Sequence, residues 1–438
     1  MGIKGLPQLI STHVGSYAIK SYPFAKFANM KVSIDTSLLV HKIGIAFRSK
    51  GKDLTNSKGQ LTSHLYGIFY TVLVYLQNGI KPIFVFDGKA PDIKNNILQE
   101  RSKRKKRALE KLQNLENSED EEYIKNFKQT FSPNKNDYKE LQIMLDLMGI
   151  PYIIAPGEAD VVCAWLSSRQ DPITGKYYVK GVCSDDSDML ALGARYLFKD
   201  MLKPMNATKT IKVISLYRTL IGLNLNLDQF VDLCVLLGCD YCDNIKGIGS
   251  SGALRLINSH KNLKNVISFL KKNNKLVFKD IDVPQENVEK CMLDASNYFK
   301  NALKELDNSN NFILTDDNLE LRQFQHDELL DFMCTKHGFD VDRMRTGVNR
   351  LEKYYENMHV KRPNIKKVHQ LSKPLNENIL FRNIEDEDIN FLSSDDENNN
   401  KKKVKGDWKY KTNKLSNLSK TDVIVLHSNS DSNINDLK

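Results

Sequence analysis

The segment from Val182 to Leu190 constrains this chain more than any other, because an apolar run stops abruptly at three carboxylates within four positions. Crowded carboxylates repel one another, which raises their pKa values and destabilises the fold unless a cation lies among them. Oxygen ligands without His or Cys suit magnesium or manganese rather than zinc. Asp186 and Asp188, two positions apart, point to one face if the segment stays extended. A solvated acidic turn is the alternative interpretation.

Apolar strands that lead into acids recur along the chain, with helical patterns between them. The stretch from residue 64 to 78, for example, has apolar residues at a spacing of three to four, which predicts a helix. Strands alternating with helices predict an α/β fold around a central, mostly parallel sheet, whose ligand crevice lies beyond the carboxyl ends of its strands. The four predicted strands cover residues 31–35, 82–87, 150–155 and 182–183.

Seven acids are expected to meet at this edge of the sheet. Six follow the four predicted strands, and the seventh follows a helix that begins near Asp228. Glu158 and Asp160 face different ways on a regular helix, so they serve different metals or lie in an irregular first turn. The predicted metal ligands are Asp35, Asp87, Glu158, Asp160, Asp186, Asp188 and Asp240.

Two further features flank these acids. Between Lys89 and Lys111, nine basic residues stand against three acidic ones in a stretch compatible with a helix. Such a run is usually a solvated face, but Lys94 and Arg101 follow an acid of the site and are placed to contact a phosphate. The second feature is a Gly-x-Gly turn at residues 247–249, whose amides can approach a phosphate, with Ser250 or Ser251 predicted to cap the next helix. A simple tight turn is the alternative.

Composition limits the classes of protein that remain. Seven scattered cysteines in 438 residues predict no disulfide framework and indicate a reducing compartment. Cys239 and Cys242 lack a second pair, which favours buried thiols over a zinc ribbon. The net charge of +10 suits a polyanionic partner. The longest apolar stretch is shorter than the ~20 residues of a membrane span, and without a signal peptide we expect no membrane anchor.

Several short motifs follow one another in a specific order. They are Met1–Leu6, Phe86–Pro91, Ala155–Asp160, Ser184–Asp188, Leu237–Tyr241 and Gly247–Gly249. Together they resemble the signature blocks of the flap endonucleases, within the structure-specific 5′ nuclease superfamily. The similarity extends to residues 332–334 and 345–351, so it covers about residues 1–353.

The resemblance implies a PIN-like nuclease domain over residues 1–353, with a helical gateway and cap at 92–135 and a helix-two-turn-helix at 228–260. It implies that the seven acids hold two magnesium ions, with manganese able to substitute. Lys94 and Arg101 match the basic residues that orient and neutralise the scissile phosphate, and the turn at 247–249 matches the element that grips duplex DNA through potassium. The implied DNA-binding residues are Gly2, His41, Lys94, Arg101, Glu158, Gly247, Gly249 and Asp240.

Two positions depart from the family pattern. Asp160 stands where Glu is commonest, which shortens that ligand by one methylene. His41 stands where flap endonucleases usually have a base-stacking Tyr, whereas the exonuclease branch has His. His41 as a packed helix residue is a third interpretation. The expected function is therefore a 5′ flap endonuclease with 5′ exonuclease activity in DNA replication and repair, with a processive 5′ exonuclease or an inactive DNA-binding scaffold as alternatives.

Beyond residue 353 the composition becomes polar, and we expect residues 354–438 to form a disordered tail. The basic cluster at 401–405 is either a nuclear import signal or a chance cluster, so we expect the nucleus, or a cytoplasmic replication compartment if the chain is viral. The segment at 423–426 is a candidate strand for a partner's sheet edge. The usual sliding-clamp motif is absent after residue 350, where Gln370 is the only Gln. We expect a monomer that binds DNA with a 5′ flap or nick.

Overall fold

The computed structural model describes residues 2–56, 59–89, 95–115, 120–202, 210–279, 284–310, 312–358 and 368–369. Within these ranges the strands are β1 Ile19–Pro23, β2 Lys31–Asp35, β3 Lys81–Phe86, β4 Tyr152–Ile154, β5 Gly181–Cys183, β6 Tyr196–Lys199, β7 Thr210–Ser215, β8 Leu314–Thr315 and β9 Val368–His369. The α-helices are α1 Leu6–His13, α2 Thr36–Phe47, α3 Ser63–Gln77, α4 Asn95–Leu112, α5 Glu121–Gln129, α6 Lys135–Leu147, α7 Ala159–Ser168, α8 Asp188–Ala191, α9 Leu216–Leu223, α10 Leu227–Leu237, α11 Ser250–His260, α12 Leu263–Lys272, α13 Gln285–Asp307, α14 Asp316–Leu319, α15 His326–Leu330 and α16 Val341–Met358.

The main sheet has seven strands in the order β1-β7-β6-β5-β2-β3-β4. The run from β6 to β4 is parallel, whereas β7 pairs antiparallel with both β6 and β1. The predicted central, mostly parallel sheet is therefore confirmed. The chain proceeds from β2 to β3 on one side and later returns to β5 on the other, so the strand order reverses between β2 and β5. Ligand sites of open α/β sheets lie at such a reversal.

The central strands are apolar because helices cover the sheet on both faces. In β3, every residue after Lys81 is buried, as expected for a parallel strand between two helical layers. Helix α3 buries its predicted apolar stripe, which consists of Leu65, Phe69, Val72, Leu73 and Leu76.

Helix α7 contacts β2, β3 and β5, and its C-terminal end is fixed by a buried ion pair. The carboxylate of Asp307, at the end of α13, is 1% exposed and accepts a 2.8 Å hydrogen bond from Nη2 of Arg169. The indole Nε1 of Trp165 donates to the same carboxylate at 2.6 Å. The start of α7 is consequently held at the carboxyl ends of the central strands.

Helices α4 and α5 lie within the predicted cap region and pack against each other. Arg48, just after α2, anchors α5: its guanidinium lies 4.3 Å from the ring centroid of Phe127 and donates to the Phe127 carbonyl and the Thr130 hydroxyl, both at 2.9 Å. This contact attaches one end of the cap to the nuclease core.

Two predicted boundaries are corrected. Helix α11 has Gly249 as its N-cap with no side-chain cap, and Ser250 is already its first residue, so the predicted serine cap is wrong. The predicted tail boundary at residue 354 falls inside α16, which continues to Met358, because this segment still carries the amphipathic pattern of the helix. Strand β9, also within the predicted tail, pairs with β8. The basic cluster at 401–405 and the segment at 423–426 lie outside the described residues.

Two predictions from composition concern thiols and apolar helices. All seven cysteines are free, and Cys242 is buried. No single helix in the described ranges has the length and apolar character to cross a bilayer, although α9 and α10, bent by 85°, meet those criteria as a pair.

Candidate metal centre and nucleic-acid interface

The predicted acids follow the strands that flank the reversal in strand order. Asp35 is the last residue of β2 and caps α2, accepting from the Leu38 amide at 3.1 Å. Asp87 follows β3, and Glu158 is the N-cap of α7 after β4. Since parallel strands end at one edge of a sheet, these side chains share the same crevice.

Ionisable neighbours confirm that acids from different strands lie close together. Burial and the charge of Arg101 lower the pKa of His41, while the charge of Asp87 opposes this shift. Burial raises the pKa of Tyr138 to about 12, with the carboxylates of Asp87 and Asp35 adding to the effect. Cap helix α4, helix α2 and the ends of β2 and β3 therefore meet at one place.

Two thiols report further pairs of neighbouring acids. Burial raises the pKa of Cys163, and the charges of Asp35 and Asp160 raise it further. Burial likewise raises the pKa of Cys239, with contributions from Asp188 and Asp240. Asp35 therefore lies near Asp160, and Asp188 lies near Asp240.

Hydroxyl groups orient two of the acids. Ser37 donates to Oδ2 of Asp87, whose Oδ1 accepts from the Ala159 amide at 2.9 Å. Oε2 of Glu158 accepts from the hydroxyls of both Tyr241 and Tyr298, the latter at 2.6 Å.

These hydroxyl groups were not predicted from the sequence. Tyr241 adjoins a predicted ligand, and Ser37 follows another by two positions, so both had a local signal. Tyr298 lies on α13, far along the chain, in an ordinary amphipathic helix that gave none.

The segment around Asp186 and Asp188 is not extended, which corrects the prediction that both side chains point to one face. Ser187 has φ −80° and ψ −9°, and α8 starts at Asp188. The Asp186 amide donates to Oγ of Ser184, and the Asp188 amide donates to Oδ1 of Asp186, both at 3.0 Å. These local side-chain hydrogen bonds favour a turn over continued strand.

Glu158 and Asp160 lie on either side of the start of α7, and the prediction that they serve different metals stays a prediction. Glu158 has extended backbone at φ −80° and ψ 140°, whereas Asp160 is already in the first turn of α7. The two side chains therefore leave the chain from different backbone conformations at the start of the helix.

The N-terminal segment packs against the acidic turn. Gly2 has φ +95°, and a Cβ there would lie 2.2 Å from Oδ1 of Asp186, so only glycine fits. The Lys4 amide donates to the Gly238 carbonyl at 3.0 Å, and its Nζ lies 2.6 Å from Oδ1 of Asp243. The segment thereby joins the end of β5 to the loop after α10.

The basic cap helix reaches the site through one ion pair. Nη2 of Arg101, on α4, lies 2.8 Å from Oδ2 of Asp240, with 46% of the arginine side chain exposed. Lys94 lies outside the described residues. His41 is half-buried beside this pair, and its ring meets that of Phe131 edge-on at 5.6 Å.

The Gly-x-Gly turn presents open backbone. Gly247 has φ +78°, and no atom lies within 4 Å of a Cβ built at Gly247 or Gly249. The first amides of α11 follow directly, and a helix N-terminus of this kind favours an anion.

The donor set fits hard divalent cations. All seven predicted ligands are carboxylates, the donor type that magnesium and manganese prefer. Within the described chain, no three of the seven acids bring ligand oxygens all within 4.8 Å of one another.

Comparisons with known proteins agree with this geometry. Residues 1–108 match the XPG N-terminal domain, and residues 149–240 match the XPG I-region. Flap endonuclease 1 of Saccharomyces cerevisiae strain RM11-1a is 36% identical over 357 residues, covering 81% of this chain and 87% of the relative. Flap endonuclease 1 of Nematostella vectensis is 33% identical over 358 residues, covering 81% and 88%.

Solved structures share the fold. Flap endonuclease-1 from Methanococcus jannaschii gives a TM-score of 0.54 at 22% identity, covering 78% of this chain and 98% of that one. Human GEN1 in complex with Holliday junction DNA gives a TM-score of 0.54 at 18% identity, covering 83% and 81%. At these identities the likeness concerns the architecture.

Proposed function

This chain belongs to the flap endonuclease family, and from that premise we propose that it hydrolyses DNA at the junction between a 5′ single-stranded flap and a duplex. One observation supports this most directly. Acids from four strands converge beneath a basic helix whose Arg101 pairs with Asp240. A carboxylate cluster with a cationic arm above it is suited to cutting a phosphodiester rather than a neutral substrate.

Two magnesium ions are the proposed cofactors, with manganese able to substitute. The seven acids would hold these ions, which would supply an activated water and charge stabilisation of the leaving oxygen. Seven carboxylates would leave three negative charges unbalanced by two such ions. Arg101, and Lys94 from outside the described residues, offset part of that charge at the reacting phosphate.

The residues around the acids have positioning roles in this proposal. The hydroxyls of Tyr241 and Tyr298 hold the Glu158 carboxylate in one orientation. The pKa of His41 is lowered, so its ring is neutral near pH 7 and is suited to stacking on a base rather than pairing with a phosphate.

The turn at Gly247–Gly249 is the proposed contact with duplex DNA. The open backbone at Gly247 and Gly249 is placed for a phosphate, either directly or through a potassium ion. Gly2 brings backbone to the acidic turn where the cleaved strand would lie. We also propose a monomer in the nucleus; sliding-clamp binding stays unassigned, because the usual motif is absent.

Cleavage of a labelled double-flap DNA with magnesium tests the function. We expect the wild-type product to map to the junction, and Asp186→Asn to abolish cleavage while duplex binding remains. Asp185→Asn is a matched control, because that carboxylate pairs with Lys42 and is not among the seven. Unchanged turnover in Asp186→Asn would refute the site.

The same assay separates the second candidate, a processive 5′ exonuclease, with which His41 is as compatible as with a flap endonuclease. A ladder of short products from nicked or blunt duplex, with no requirement for a flap, would support that reading. If the protein is instead a flap endonuclease with additional 5′ exonuclease activity, we expect only minor cleavage of nicked duplex.

A further inference from the structure

A second group of metal-ligand side chains lies where α3 meets α6, apart from the seven acids. His64, Asp137 and Glu140 place their ligand atoms all within 4.8 Å of one another. Asp137 and Glu140 are three positions apart on α6 and so share one face of that helix. None of the three was predicted to be functional from the sequence.

His64 is the most unusual member of the group. Its side chain is fully buried, and neither Nδ1 nor Nε2 has a hydrogen-bond partner. An imidazole withdrawn from water normally makes at least one hydrogen bond, because leaving both nitrogens unsatisfied costs free energy. Burial lowers the pKa of His64 to about 4, so the ring is neutral at physiological pH, which is the form that coordinates metals.

The two carboxylates are held toward the histidine. Asp137 forms the capping box of α6: Oδ2 accepts from the Asn134 amide at 2.7 Å, and Oδ1 accepts from its side-chain nitrogen at 3.2 Å. Each oxygen keeps a second lone pair, so the capping box orients the carboxylate and leaves it able to coordinate a metal ion. Burial raises the pKa of both Asp137 and Glu140, a sign that their charges are poorly compensated by protein groups.

A second histidine borders the group. Nε2 of His337 lies 3.8 Å from Oε1 of Glu140, and the His337 side chain is 4% exposed. His337 directly follows a π-helical turn, Asp331–Lys336, and single π-turns frequently occur at functional sites. We define the α3–α6 cluster as His64, Asp137, Glu140 and His337.

The ligand types distinguish this cluster from the seven acids. Two imidazoles and two carboxylates suit a divalent transition metal, and four such ligands match the tetrahedral coordination of zinc. Magnesium and calcium prefer oxygen ligands alone. The ligand atoms of His64, Asp137 and Glu140 lie within 4.8 Å of one another, and Nε2 of His337 lies 3.8 Å from Oε1 of Glu140. A contraction of the group would bring these atoms around one ion.

We propose that the α3–α6 cluster binds one divalent transition-metal ion of the zinc class, separate from the proposed catalytic ions. The ion joins α3, α6 and the turn before α16, three elements that are distant in sequence. Tyr138, next to Asp137, interacts with Ser37 and feels the charges of Asp35 and Asp87. The ion is therefore a structural support for the part of α6 that borders the nuclease site.

Zinc counting on the full-length protein tests the proposal. The chelator-treated protein is incubated with zinc and excess magnesium, freed of unbound ions by gel filtration and analysed by mass spectrometry for zinc per chain. We expect His64→Gln and Glu140→Gln each to contain one zinc fewer than wild type. Zinc bound at other sites contributes equally to wild type and variant, so it does not change the difference in zinc content between them. His13→Gln, which removes an exposed histidine, should keep the wild-type content.

Folding controls keep the outcome decisive. Circular dichroism establishes that each variant is folded; if His64→Gln is not, Glu140→Gln, at the more exposed edge of the cluster, decides alone. X-ray absorption at the zinc edge should show imidazole nitrogens in wild type and fewer in Glu140→Gln or His64→Gln. Equal zinc content in wild type and a folded cluster variant, or an edge spectrum with no imidazole, would overturn the proposal. Neither result bears on flap cleavage, so this proposal and the proposed function fail independently.

Discussion

At the scale of single residues, close backbone packing controls the acidic turn as much as the acids themselves do. Gly2 lies against Asp186 with φ +95°, where a side chain has no room. In the turn that contacts it, the Asp188 amide donates a hydrogen bond to the Asp186 carboxylate. A shift of that carboxylate would therefore change the position of two proposed ligands together.

Gly2→Ala is predicted to lower the cleavage rate by about 10²-fold, the loss associated with a displacement of about 1 Å in an active site. The added Cβ would contact Oδ1 of Asp186 at 2.2 Å and must push it aside. Single-turnover cleavage of flap DNA with magnesium measures the effect.

Gly15→Ala is the matched control. Gly15 also has a positive φ, +60°, but no atom lies within 4 Å of its Cβ position. This variant should lose stability, since alanine is strained there, and keep its cleavage rate. Equal losses of activity in both variants would show that the contact with Asp186 is unimportant.

The acids could be predicted from the sequence because each follows a recognisable apolar strand or helix. Their hydrogen-bond partners could not be predicted in the same way. Tyr298 reaches Glu158 from α13 across 140 positions, and nothing in its local pattern distinguishes it from a packing residue. Long-range side-chain contacts of this kind are fixed by the tertiary fold.

At the scale of elements, the cap helix and α7 are positioned by different means. α4 reaches the site by the partly exposed Arg101–Asp240 pair, whereas α7 is fixed by the buried Arg169–Asp307 pair. A partly exposed pair contributes little to stability, but a buried one is costly to break. Substitutions in the Arg101–Asp240 pair should therefore change activity, whereas substitutions in the Arg169–Asp307 pair should change stability.

Arg101→Ala is predicted to lower the single-turnover rate by about 10²- to 10³-fold, the cost of losing one preorganised charge at the reacting group. The free energy of unfolding should change little, because the side chain is 46% exposed. Lys103→Ala removes the same charge from the opposite face of α4 and serves as the control. If Lys103→Ala lowers the cleavage rate as much as Arg101→Ala does, the effect of Arg101 is general electrostatic attraction of DNA and not a specific contact with the reacting phosphate.

Asp307→Ala is predicted to lower the free energy of unfolding by about 3 to 5 kcal/mol, because Arg169 is left as an uncompensated buried charge. Urea denaturation measures the change. Asp342→Ala is the control: its carboxylate is 93% exposed and lies 3.6 Å from Arg345, so a change of about 0.5 kcal/mol or less is expected. A similar small effect for Asp307→Ala would contradict the anchoring role.

Element positions were predictable where hydrophobic patterns are long, as in α3 and β3. Short turns were harder to predict. At the start of α8, the Ser184 hydroxyl and the Asp186 carboxylate accept hydrogen bonds from nearby amides, although the sequence pattern there is equally compatible with a strand. At Gly249 the backbone alone forms the helix start, so a neighbouring serine was a misleading signal.

At the scale of the whole molecule, the sheet collects acids at one edge while the chain as a whole is basic. The net charge is +10 even though the seven predicted metal ligands are all carboxylates. Positive charge elsewhere, including α4, must therefore attract DNA to a negative site. Binding of this kind depends on phosphate neutralisation and is sensitive to salt.

The Asp186→Asn variant is used to measure binding, because it is expected not to cleave the DNA. Raising potassium chloride from about 50 to about 200 mM is predicted to weaken its affinity for flap DNA by about 10³-fold or more, the loss expected for a protein that contacts six or more phosphates. Fluorescence anisotropy measures the affinity. The same series in sodium chloride tests the potassium proposal, since a specific ion at Gly247–Gly249 would make binding tighter in potassium at equal ionic strength. An affinity independent of salt would contradict electrostatic docking.

The parallel centre of the sheet could be predicted, because buried parallel strands are continuously apolar. Its antiparallel edge was not predicted. Strand β1 pairs with β7 between positions as distant as 19 and 214, and its sequence, with Lys, Ser, Tyr and Pro after Ile19, lacks a clear strand pattern. Pairing with β7, rather than intrinsic preference, determines that segment.

Asp240 can serve either Arg101 or a divalent ion, and this shared use couples two equilibria. A substrate phosphate that pairs with the Arg101 guanidinium would free the Asp240 carboxylate to coordinate the ion. Bound substrate should therefore raise the affinity for the ion. Because such coupling is reciprocal, the ion must tighten substrate binding by the same factor. A protein without DNA would then hold its ions loosely, which restrains hydrolysis until a strand is seated beneath α4.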